Sequence, residues 1–257
     1  MSSTLMTHSP KFNAKLTTYG HLAALPEPQA LGPMHKPVAH VRLIDAFRAE
    51  IAKRDMRIER EQFALSAKGQ ALFGVIDLKT DLAEATRCLS LGFRNSVDMS
   101  MGIQAVAGTT VFVCDNMALS GSMFALKRKN TTGLDLGDAV AVGFDKFLQH
   151  GQVLEIEIAR LQAEGITDGK AKQLIFDVFS SKIVPVRLFD DVDAYYFRPN
   201  QTMEDCQPRT LWGLHNAFTR ALRDLSPVRR FAATVDLGKA FGLDQHDVID
   251  TTAVAVE

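Results

Sequence analysis

The chain has 257 residues, with 29 Lys plus Arg against 30 Asp plus Glu and a formal net charge of -1. That balance excludes a generally basic coat for nucleic acid, because phosphate neutralisation drives such binding, so any DNA contact has to come from a local basic patch. Hydrophobic residues at 46% are enough for a buried core, while no apolar run has bilayer length or the form of a signal peptide, and the expected compartment is the cytoplasm.

Residues 1–39 hold five of the nine prolines (Pro10, Pro26, Pro28, Pro33 and Pro37) and lack sustained periodicity. They read as an extended N-terminal arm, of the kind that can lie on a neighbouring subunit in a homo-oligomer. A single α+β domain is expected over 40–257. From His40, Val41, Ile44, Phe47 and Ile51 recur at helical spacing, predicting an amphipathic helix that ends near Arg54. RIEREQFALSA and QALFGVIDL, joined at Lys68-Gly69, predict a β-hairpin.

RCLSLGFRN, GIQAVA and TTVFVCDN have the β-branched and aromatic content of strands, with a turn expected at Gly108 between the last two. After a polar loop, KRKNTTGLDLGD, Val140, Phe144, Phe147 and Leu148 open a helix running to about Leu161. Thr167-Asp168 is a candidate cap for a further helix carrying Leu174, Ile175, Val178 and Phe179. Residues 185–208 read as an irregular connection. Thr210 should cap a helix through about Leu225, and a short terminal helix should cover Val235–Phe241. Strands cluster in 56–116 and helices in 136–181 and 208–242. The expected architecture is therefore α+β, an early antiparallel β-meander packed against later long helices.

Two blocks carry a family likeness: LGFRNSVDMSMGIQAVAGTTVFVCDNMALSG, residues 91–121, and TLWGLHNAFTRAL, residues 210–222. The first resembles the central motif of the phage/plasmid-like protein family that carries domain of unknown function nine-three-two, through Phe93–Asp98, Gly108–Asn116 and then the basic Lys127–Thr132. The second resembles that family's tryptophan block, and Gly238 and Lys239 match loosely. The resemblance spans roughly residues 34–242. It implies a mobile-element role in DNA metabolism, near recombination and anti-restriction functions, and no defined activity.

No phosphate-binding loop, zinc-protease, nucleophile-elbow or dinucleotide signature is present, so no catalytic residue and no cofactor are assigned. Cys88, Cys114 and Cys206 are odd in number, far apart and without CxxC or CxxxH spacing, so neither a disulfide framework nor a zinc site is indicated, and the first two sit in apolar strand-like runs as small hydrophobes would. Asp98 and Asp115, just beyond strand-like segments, are the candidates for a divalent metal in nuclease-type chemistry. Their bland reading is turn chemistry, as in NSVD and CDN. His215 reads as a structural helical residue.

Arg87, Phe93, Arg94, Lys127, Arg128 and Lys129 are the candidate nucleic-acid-binding residues, the cations for phosphates and an aromatic (Phe93 or Phe124) for base stacking. Alternation puts Arg87, Leu89, Leu91 and Phe93 on one face of their strand and Arg94 on the other. The reading that follows is a non-catalytic, single-stranded DNA-binding or annealing accessory of recombination. Two alternatives stand beside it: a protein-interaction module that inhibits a host defence or restriction system, and a metal-dependent enzyme using Asp98 and Asp115.

Overall fold

Residues 14–79, 87–111, 124–200, 203, 206 and 208–243 are described by the computed structural model of the chain. Six strands, β1 (Ala14–Thr17), β2 (Ile58–Ser66), β3 (Ala71–Leu78), β4 (Arg87–Ser96), β5 (Ile103–Val111) and β6 (Phe124–Arg128), form one antiparallel sheet in chain order. The architecture is α+β, a meander followed by long helices. Each strand pairs with the next in sequence, so local hairpins build the sheet and no crossover is needed.

The β2–β3 hairpin turns at Gly69, whose φ of +70° is a left-handed conformation that costs glycine little. The expected turn at Gly108 is absent. Gly108 lies inside β5, opposite Ser90 of β4, and β5 continues through Thr109 and Thr110 to Val111. The chain reverses instead at 97–102, where the Asp98 carboxylate accepts from the Ser100 N–H (3.1 Å) and hydroxyl (2.6 Å). Met99 takes the left-handed conformation there, at φ +64°. Side-chain hydrogen bonds and a left-handed methionine, rather than a glycine at the left-handed position, make this turn.

Residues 14–39 do not form a free arm. β1 adds to the sheet edge against β2, and the short helix α1 (Tyr19–Ala23) buries Leu22 in the sheet-side core. Its Tyr19 hydroxyl donates to Asp45 of α2 (His40–Lys53) at 2.8 Å. α2 packs Leu43, Ile44, Phe47 and Ile51 onto Leu72, Ile76, Leu91 and Phe93. Phe93 is fully buried, 5.1 Å from the Phe47 ring, and occupies the space above Gly74, where an added Cβ would lie 2.3 Å from its ring.

α3 (Leu136–Ala163) is 28 residues long, capped by the Asp135 carboxylate, which accepts from the Asp138 N–H at 3.0 Å. Its first half places Val140, Phe144 and Phe147 in the sheet-side core, and its second half places Leu154, Ile158 and Leu161 in a separate helical core. That second core is completed by α4 (Asp168–Ser180), capped by Thr167, α5 (Phe189–Phe197), α6 (Leu211–Ala221), capped by Thr210, and α7 (Pro227–Ala240). Segment 185–208 is thus not wholly irregular: α5 lies within it, bracketed by Pro185 and Pro199 and carrying Asp190 and Asp191 in its first turn. α7 also starts earlier than Val235, because Pro227 sits in its first turn, where the missing N–H is no loss. Phe231 and Val235 of α7 cover Val75 and Val106 on the sheet face away from α2. No described helix is long and apolar enough to cross a membrane.

Candidate nucleic-acid interface

The antiparallel registers bring one set of turns and strand ends together. Ala71 of β3 faces Ser96 of β4, Ala14 of β1 faces Ser66 of β2, and Ile103 of β5 faces Arg128 of β6. The turns 67–70 and 97–102, the end of β6 and the start of α2 therefore share one end of the sheet. A buried polar network ties them. The His40 Nε2 donates to the Gly69 carbonyl (3.1 Å), which leaves Nδ1 as acceptor for the Asn95 amide (3.2 Å). Asn95 also donates to the Val38 carbonyl (2.8 Å) and accepts from the Asn130 amide (3.0 Å), which donates again to the Ser96 carbonyl (2.7 Å). Burial pushes the His40 imidazole below its ordinary value, against the Gly69 bond and the Asp98 charge. Burial pushes the Asp98 carboxyl up, but the bonds from Ser100 and Ser96 outweigh it and hold the group below the usual range.

At this end of the sheet stand exposed cations from separate segments. Lys15 is on β1, Lys36 precedes α2, Lys68 is in the β2–β3 turn, and Lys127, Arg128 and Lys129 close β6. The Lys36 N–H donates to the Asn130 carbonyl (3.2 Å), which sets its backbone beside Lys129. Lys15, Lys36, Lys68 and Lys129 make no ion pair with a carboxylate among the described residues. The KRK run is not a loop: Lys127 and Arg128 belong to β6, paired with Gln104 and Ile103, and only Lys129 lies beyond the strand.

The other candidates are dispersed. Phe93 has no free ring face, so a stacking role for it is corrected: its ring is part of the core. Arg94 points to the opposite sheet face, its guanidinium 5.4 Å from the Phe231 ring, and burial pushes it below its ordinary value. Its charge is committed to α7 rather than to an open groove. Arg87 begins β4, opposite Val111, at the far end of the strand from Arg94. Asp98 is engaged in its turn, and Asp115 and Cys114 lie outside the described residues. No group of three or more His, Cys, Asp or Glu with metal-holding geometry occurs among the described residues. Cys88 is buried, its thiol pushed up to about 11 by burial, as befits a small hydrophobe.

Lys15, Lys36 and Lys68, together with Asn130, are the members that sequence reasoning missed. A lone lysine carries no signal in one dimension, and only the strand register gathers them. A scan against protein-family models, a search of curated proteins and a search of solved structures each find no match.

Proposed function

We propose that the protein is a non-catalytic accessory that captures single-stranded nucleic acid along the basic end of its sheet, in annealing or recombination on a mobile element. The observation that supports it is the placement of the exposed Lys15, Lys36, Lys68, Arg128 and Lys129 at one end of the sheet, on a chain whose net charge is -1. Cations presented together at one end of the sheet attract phosphates even where the chain as a whole is nearly neutral. The mobile-element part of this proposal rests on the resemblance of residues 91–121 to the phage/plasmid-like proteins. Backbone capture needs no nucleotide hydrolysis and leaves bases available for pairing.

The test is single-stranded DNA binding across salt by the wild type and by Lys127→Ala/Arg128→Ala/Lys129→Ala. The triple variant should bind more weakly at every sequence, with the log–log salt slope reduced by roughly two to three units, a little under one per lost contact. A wild type that binds neither DNA nor RNA at low salt ends this reading and moves a protein partner to first place. One observation favours that second reading: Phe176, Val186 and Phe189 are exposed large hydrophobics of the helical side, where Phe189 packs 5.4 Å from Phe179.

A further inference from the structure

A cleft of about 330 Å³ opens at the same end of the sheet, lined by Met34, His35, Met99, Met101, Gly102, Lys129, Asn130 and Thr131. His35 faces Thr131 across an isolated antiparallel bridge, and His35 and Asn130 both line the cleft. Both are more than nine-tenths buried, and each carries one polar atom without a partner, the His35 Nε2 and the Asn130 Oδ1.

The chemical sense of those two atoms is fixed by the bonds around them. The His35 Nδ1 accepts the Leu31 N–H at 3.1 Å, so the ring proton sits on Nε2, a donor. The Asn130 amide nitrogen donates to the Asn95 side-chain oxygen and the Ser96 carbonyl, so the remaining Oδ1 is an acceptor. An unmet donor and an unmet acceptor in buried positions each cost stability unless a ligand or a water completes them. Met34 and Met99 line the cleft and are 65% and 64% exposed to solvent. Methionine is unbranched and polarizable, so these chains can swing aside and then lie against a flat π-face.

From these residues the geometry points to a nucleobase pocket: one base of the bound strand inserts between the methionines and presents an acceptor to His35 Nε2–H and an N–H to Asn130 Oδ1, while Lys129 holds its phosphate. This rests on the backbone-capture reading and deepens it, since it gives the interface a place where a base, and not only a phosphate, is held. A pyrimidine edge such as thymine's, with N3–H beside a carbonyl, has the required pairing of donor and acceptor.

The experiment compares, by fluorescence anisotropy on the full chain, oligothymidylate with an abasic strand of equal phosphate count and with an N3-methylthymine strand. The thymine strand should bind about tenfold or more tightly than the abasic one, at the same salt slope. The methylated strand keeps its stacking face but loses its donor, and should fall to the abasic level. Met34→Ser/Met99→Asn touches only exposed side chains, and Asn tolerates the left-handed backbone at position 99. It should keep abasic affinity and lose the thymine gain. Thymidine monophosphate should compete only at far higher concentration than the strand; competition at equal concentration assigns the same pocket to free nucleotides. Equal binding of thymine and abasic strands, or of thymine and its methylated form, overturns the base pocket while leaving backbone capture standing. If no strand binds at low salt, the backbone reading itself has failed.

Discussion

The two cores of this molecule bury polar groups in opposite ways. On the sheet side, His40, Asn95, Asn130 and Ser96 are joined into a chain of hydrogen bonds that opens at one end onto a cleft. On the helical side, His215 is fully buried between aromatic rings, stacked on Trp212 at 5.2 Å and met edge-on by Phe241 at 5.1 Å. Ser226 Oγ and Thr234 Oγ1, also on that side, have no hydrogen-bond partner. The difference teaches where to look for function. A buried polar group within a stack of rings is a packing element with a stability cost, whereas an unmet donor and acceptor on residues that line a cleft are where we propose that a ligand binds.

The largest expected effect tests the helical half. Trp212→Ala removes a buried ring from the contact with His215 and should cost about 3–5 kcal/mol in chemical denaturation. An unchanged denaturation midpoint would contradict the packing described for α6. On the sheet side, Asn95→Ala strands His40 Nδ1, the Val38 carbonyl and an Asn130 amide hydrogen together. Water reaching the vacated space limits the damage, so a loss of about 1–3 kcal/mol is expected, with reduced nucleic-acid affinity as the clefts slacken. Loss of stability with full affinity would separate the network from the interface.

Acid sharpens the comparison further. Burial pushes the His215 imidazole down to about 3, opposed only in part by Asn216. Below the ordinary histidine value of 6.5 the unfolded chain takes up a proton that the folded chain refuses, so stability falls as the pH drops from 6.5 toward 3. The slope attributable to this residue is at most about 1.4 kcal/mol per pH unit. His215→Phe should remove it, read as a flatter dependence of the melting midpoint on pH between 6 and 4. An identical dependence in the variant would mean that other groups set the acid limit. The smallest effect is expected at the exposed lysines, where Lys36→Ala should shift stability by no more than about 0.5 kcal/mol while weakening single-strand binding.

Much of the fold is written in one-dimensional patterns. The 3.6-residue recurrence of Ile44, Phe47 and Ile51 marks α2, and the caps Thr167 and Thr210 mark α4 and α6. What escapes such reading has physical causes. Gly108 looks like a turn because glycine is the usual turn residue, yet here it sits in register with Ser90, and the reversal is made by Asp98 and Ser100 side chains. Alternation correctly separates Phe93 from Arg94, but it does not say which face α2 will cover. Hence Phe93 reads as available when it is the centre of a core. The candidate site was legible only at Lys127–Lys129, because its remaining members are brought in by register and by the segment that precedes α2.

The long helix α3 has a consequence for how the protein fails. At 1.5 Å per residue its 28 residues span about 42 Å, with each half embedded in a different core. Between them, at Gly151, the backbone comes so close to β4 that an added Cβ would lie 2.9 Å from the Leu89 side chain. Neither core can melt without stripping half of this rod, so the two behave mechanically as weights on one axle and should unfold in a single calorimetric transition. Bulk introduced at Gly151 would push the rod off the sheet at its midpoint, and the one endotherm would then divide into two.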